Sequence, residues 1–199
     1  MTGGTGPAGD IPFSISGTIK MGEVRALSRN LLLCAMISRY SEALRWAQQQ
    51  LESRWGATAL VSPEFEFQET GFYTASMGSG LRKQFVAFQP GAFDLAELAA
   101  CKLLTNAWEG EYARLGRHPE SRPLNLDPGY LTEAKLVLAT TKDRDHRIYL
   151  HSGIYAEVTL HWLRGAWAAE RWTYPDYQRA DFQSFFTACR EYLRSQRNA

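Results

Sequence analysis

Leu31-Leu32-Leu33-Cys34-Ala35-Met36-Ile37 is the stretch on which the fold turns. It is an unbroken apolar run with no alternation, far shorter than the roughly 20 residues of a membrane span. Such a run reads as a strand buried on both faces, and therefore central in its sheet. Downstream, Ser41 is placed to cap a helix in which Leu44, Ala47, Leu51 and Trp55 keep helical spacing up to Gly56. Residues 60–67 and 83–88 read as two further strands, separated by a glycine-containing loop over 69–80. Asp94, with Glu97 three residues on, has the capping-box pattern of a second helix. In that helix Leu104, Trp108 and Leu115 form an apolar face. Lys102, Thr105, Asn106 and Glu109 form a polar stripe, read as either a solvated surface or a cleft wall.

Beyond this β-α-β-β-α start, which is ferredoxin-like in order, Asp127-Pro128-Gly129 has the chemistry of a turn. Residues 133–141 are read as a helix capped by Thr132, although Leu136-Val137-Leu138 would equally suit a strand. Residues 146–150, 154–162 and 166–172 read as a three-stranded meander with turns at His151-Ser152-Gly153 and Arg164-Gly165. Leu150 is expected opposite Ile154, Ile148 opposite Ala156, Tyr149 opposite Tyr155 and Arg147 opposite Glu157. A last helix is expected from Asp181, with Phe182, Phe185, Phe186, Cys189, Tyr192 and Leu193 along one side. The expected fold is a single α+β domain over 21–199, a mixed or antiparallel sheet with packed helices. Residues 1–20, rich in Gly, Thr, Ser and Pro, are expected as a flexible tail.

A chain of 199 residues buries about 70% of its extended surface, enough for a core without disulfides. The three cysteines each sit in an apolar pattern, as core thiols do, and no apolar leader is visible; a cytoplasmic location and no membrane association are expected. The net charge of +1 supplies no field for nucleic acid. Seventeen of the 22 basic residues are Arg, which with the aromatic content suits single strands, but the charge balance sets nucleic acid aside as a partner.

Five ordered blocks carry a resemblance: Asn125 to Leu131, Lys135 to Asp143, His146 to Leu150, Gly153 to Leu160 and Trp172 to Tyr177. Together they resemble a bacterial domain-of-unknown-function family, number four-four-one-six. The resemblance is densest over residues 122–178. It thins in the first half to Met77-Gly78, Phe85 and Lys102 with Thr105-Asn106, and Ser76 stands where the family carries an acidic residue. It implies a compact bacterial protein with no established activity, sometimes labelled GTP-binding. The residues give that label no support. Gly4 to Gly9 is followed by Asp10-Ile11 instead of the Lys-Ser/Thr of a P-loop, and Thr141-Lys142-Asp143-Arg144 departs from the guanine-reading pattern.

The candidate chemistry is a polar cluster spread over these blocks. Lys142, Asp143, Arg147, Tyr155, Tyr174, Asp176, Asp127 and Lys135 are the candidate ligand-binding residues, and Glu157 and His146 the candidate acid–base pair. Cations set among carboxylates and tyrosines suit a small anionic, nucleotide-like or phosphorylated ligand. Cross-strand pairing of Arg147 with Glu157 is the purely structural alternative. Asp143, Asp145 and His146 lack a metal-site spacing, Met77-Gly78-Ser79-Gly80 before Arg82 and Lys83 is a weak anion nest, and no cofactor is indicated. A protein-interaction or assembly module without catalysis, with a protein partner or as a homo-oligomer, is the alternative function, suggested by six tryptophans and the aromatic last helix.

Overall fold

The computed structural model describes residues 29–68 and 73–196. The tail expected over 1–20 and the Gly4 to Gly9 stretch lie outside the described residues. The chain runs β1 (Leu31–Ser38), α1 (Ser41–Trp55), β2 (Thr58–Val61), β3 (Phe65–Glu66), α2 (Thr74–Met77) and β4 (Arg82–Phe88). A 3-10 turn, Leu95–Glu97, then leads into α3 (Leu98–Arg114). Next come β5 (Asn125–Leu131), β6 (Lys135–Thr140), β7 (Ile148–His151), β8 (Ile154–Leu163) and β9 (Ala166–Ala169). A second 3-10 turn, Pro175–Gln178, precedes α4 (Ala180–Ser195). The strands form one sheet in the order β2-β4-β1-β5-β6-β8-β7, with β3 on β4 and β9 on β8. Every pairing among them is antiparallel. The fold is α+β.

β1 is buried along its whole length, as its unbroken apolar run requires. Leu32, Cys34 and Met36 enter a core shared with α1 and α3. Leu31, Leu33 and Ala35 enter a second core on the opposite face, closed by Phe182, Phe186, Cys189 and Leu193 of α4. The phenylalanine-rich stripe of the last helix is thus spent inside the molecule. Phe85 of β4 receives Phe182 and Phe186 edge-on at 4.9 and 5.0 Å.

Several expectations are corrected. Residues 133–141 are strand β6, not helix. Its side chains alternate between the two cores, Val137 and Ala139 to one and Leu136 and Leu138 to the other. The capping role of Thr132 is real but serves a hairpin, because its hydroxyl accepts from the amides of Ala134 and Lys135 in the β5–β6 turn. Asp127-Pro128-Gly129 is not a turn but lies inside β5. The strand expected over 60–67 is interrupted at Ser62-Pro63 into β2 and β3, both on the outer edge of β4. Tyr40, not Ser41, takes the N-cap position of α1, without a side-chain cap, and Ser41 donates to Glu64 instead.

Both C-terminal hairpins form, with Ile148 opposite Ala156 and Tyr149 opposite Tyr155 as read. A bulge then puts His151, not Leu150, opposite Ile154. Ser152 and Gly153 make the turn, both at positive φ. Since β6 occupies one edge of β8, β7 and β9 share the other end to end rather than flanking it as a meander.

Candidate functional site

The site begins with a break in the sheet. β5 pairs with β1 from Asn125 to Leu131. It pairs with β6 only through Gly129↔Leu138, Tyr130↔Val137 and Leu131↔Leu136. Past that point the two strands part. The backbone of β5 facing the gap is satisfied by α3 instead. Glu109 Oε1 accepts from the Leu126 amide at 2.7 Å, and Lys102 Nζ donates to the Leu126 carbonyl at 2.6 Å. Residues two apart in a strand direct their backbone groups to the same side. Pro128 therefore turns its hydrogen-free nitrogen to the gap, where no ladder donor is required. Gly129 stands where the strands close again. A Cβ there would lie 2.1 Å from the Val137 carbonyl oxygen.

The gap is a cavity of about 610 Å³, lined by residues from both sides of the sheet. One wall is α3 with its approach to β5: Lys102, Asn106, Glu109, Arg122 and Asn125. A second is the end of β6 and the following loop, from Leu138 to Lys142, with Arg144, Arg147 and Glu157. The third is aromatic: Phe67, Tyr73, Tyr174 and Tyr177, with Lys83 and Asp176 among them. Six cationic side chains face four carboxylates on this lining.

Most of these charges are held in pairs. Lys83 Nζ lies 2.6 Å from Asp176 Oδ2, both buried. Lys102 Nζ lies 3.0 Å from Asp127 Oδ1, and Arg122 Nη2 2.7 Å from Glu109 Oε2. Burial pushes the Asp127 carboxyl up, but Lys102 and Lys83 outweigh it and the net displacement is downward. Glu109 goes the other way: burial raises it, and Lys102 and Arg122 only partly compensate. Lys142, at the mouth, is lowered by burial and by the neighbouring Arg147.

Arg147 is the junction between the hairpin and the cavity. Its Nε donates to Glu157 Oε2 at 2.6 Å, Nη1 to the Lys142 carbonyl at 2.8 Å and Nη2 to the Tyr174 hydroxyl at 3.4 Å. Burial opposes its charge, yet Glu157 and Tyr174 raise it further. Behind this pair His146 stacks on Trp172, with ring centroids 4.8 Å apart and 9° between planes. Its Nε2 is 3.2 Å from Glu157 Oε2 and its Nδ1 3.0 Å from Asp145 Oδ1.

Of the residues singled out in the sequence, Lys142, Arg147, Glu157, Asp127, Tyr174 and Asp176 come together on the cavity wall. His146 touches Glu157 from outside it. Asp143 and Tyr155 interact with each other instead. Lys135 lies at the far end of β6, opposite His161. Met77-Gly78 lies apart from this cavity, with Glu120 Oε1 and Arg39 Nη1 against Gly78. Lys83, Tyr73, Arg122 and Asn125 were missed as site residues. The stripe of Lys102, Thr105 and Glu109 is buried and makes the cleft wall. Glu109 and Lys102, two helical turns apart, were the available signal, because that spacing lets one helix face address both backbone groups of one residue.

The model of one protein family, described as Domain of unknown function (DUF4416), matches residues 28–192. No curated protein and no solved structure matches the chain. Among the described residues no helix is long and apolar enough to cross a membrane.

Proposed function

The chain belongs to that family of unknown function, and from its site we propose that it binds a small anionic, phosphorylated ligand in the gap between β5 and β6. The observation that carries this reading is the lining of the cavity, six cationic side chains against four carboxylates in a volume of about 610 Å³. Such a volume suits a small metabolite or a nucleotide. Lys142 supports it as well. Its charge is disfavoured by burial and by Arg147, and the attraction of an anion at the mouth offsets both. Arg147 faces the same space with a guanidinium fixed by Glu157 and Tyr174, as a pre-organised anion contact should be.

A thermal-shift series with phosphate, pyrophosphate, nucleotides and phosphorylated metabolites tests the reading. A ligand at 100 times its Kd adds about 2.7 kcal/mol, or about 5–10 °C for a chain of this size. The shift is expected in the wild type and lost in Lys142→Ala/Arg144→Ala, whose unliganded melting should stay close to the parent's. No shift with any of these anions overturns the proposal.

A second reading, association through the sheet edge, is favoured by Ile148 and Tyr149, 70% and 59% exposed on β7 at the end of the strand order. Sedimentation over a hundredfold concentration range separates the two. A single-chain mass throughout removes the association.

A further inference from the structure

Lys83 and Tyr177 meet on the aromatic wall of the cavity, and the fold uses neither fully. Lys83 Nζ is buried, and its one hydrogen bond among the described residues runs to Asp176. An ammonium has three N–H donors, so two are without an acceptor. Aromatic rings stand around them: the Tyr177 centroid is 4.2 Å from Nζ and that of Phe67 5.1 Å. The Tyr177 hydroxyl is buried as well and has no hydrogen-bond partner among the described residues. Burial, then the Asp176 and Asp127 carboxylates, push its phenol well above the ordinary range, so it remains a donor. The rings favour the charge of Lys83 but do not replace a hydrogen-bond acceptor, and buried donors without acceptors are rare, because the lost hydration is not returned as a hydrogen bond. Both residues line the cavity, and two such donors on one wall mark a place where an acceptor atom belongs.

The surroundings select the kind of acceptor. Asp176 already neutralises Lys83, and a second carboxylate would be repelled by it among apolar rings of low polarity. A neutral carbonyl oxygen accepts from both donors and adds no charge. We infer that Lys83 and Tyr177 bind a carbonyl oxygen of the ligand, so the protein takes phosphorylated compounds that also carry a carbonyl group. This rests on the reading of the cavity as an anion site. Two sources share that chemistry: a small keto-phosphate, or a nucleotide whose base bears a keto group.

Calorimetric titration with two matched pairs tests it, dihydroxyacetone phosphate against glycerol 3-phosphate and inosine monophosphate against adenosine monophosphate. Within each pair the phosphate is kept and the carbonyl is replaced. The wild type is expected to bind the carbonyl member of one pair at least tenfold more tightly, and that pair identifies the source. Tyr177→Phe keeps the ring over Lys83 and removes the hydroxyl. It should abolish the preference while its unliganded melting temperature stays level or rises, because no bond is lost. Equal affinities within both pairs overturn the carbonyl site and leave the anion reading standing. So does a preference that survives in Tyr177→Phe, or a fall of several degrees in its unliganded melting. Should none of the four compounds bind, the inference falls, and pyrophosphate titrated alongside shows whether the anion reading falls with it.

Discussion

Asp127, Pro128 and Gly129 each have turn chemistry, and each is used for something else. Asp127 receives Lys102, Pro128 points a nitrogen without hydrogen into a gap, and Gly129 admits the Val137 carbonyl. Gly129→Ala puts a methyl group 2.1 Å from backbone oxygen, so the strands must move apart. We expect a loss of about 1–3 kcal/mol, the usual cost of overpacking, measured by urea denaturation; wild-type stability in this variant would refute the close approach. Asp127 gives a pH test. Its folded pKa lies below its unfolded value, so its stabilisation is present above pH about 4 and is lost as pH falls through the folded value. The stability difference between wild type and Asp127→Asn should therefore shrink between pH 5 and pH 2. A difference constant over that window would show that Asp127 carries no such shift.

At the scale of elements, legibility depends on whether the pattern is complete within the element, although local cap and turn signals at Ser41 and Asp127-Pro128-Gly129 mislead. β1, the two C-terminal hairpins and α4 have patterns complete within their own residues. β5 and β6 do not. Leu136-Val137-Leu138 fits a buried strand or a buried helix, and length could not decide between them. The polar stripe of α3 was ambiguous for a related reason. Spacing shows that Lys102, Thr105 and Glu109 share a face, but not that the face looks into the protein. That follows only once β6 has left Leu126 without a partner on that side of the strand, a fact of tertiary pairing. The half of the site on the hairpin and Tyr174 was accordingly legible, whereas Lys83 and Arg122 were not. The substitution of helix side chains for a strand is testable. Glu109→Ala leaves the Leu126 amide unpaired and Arg122 with Asn125 as its remaining hydrogen-bond partner, and should cost about 1–3 kcal/mol. Glu109→Gln keeps an acceptor for the amide and should cost less. Equal losses would mean that the hydrogen bond to Leu126 contributes nothing. Faster hydrogen exchange at Leu126 in Glu109→Ala alone would locate the effect.

At the scale of the molecule, two cores share one sheet. Cys34 and Cys101 sit in the first and Cys189 in the second, all buried and free. Burial pushes Cys34 well above the ordinary thiol range and Cys101 and Cys189 to about 12, so none reacts while covered. Because β1 belongs to both cores, the two should unfold as one. Labelling by a thiol reagent in sub-denaturing urea should then modify all three cysteines at a common rate. Early modification of Cys189 alone would show α4 detaching first.

The parted strands also have a mechanical meaning. β5 and β6 are joined by three residue pairs at one end and unpaired with each other at the other, where β1 and β8 hold them on their outer sides, which is the outline of tweezers. Leu126 lies three residues beyond the last pair, about 10 Å out at the rise of a strand. A rotation of roughly 6° at the pivot then moves the tip by about 1 Å on that lever arm. The Lys83–Asp176 pair links β4, in the half of the sheet that contains β5, to the segment that follows β9. That buried pair is a tie across the gap, holding its two sides at a fixed spacing.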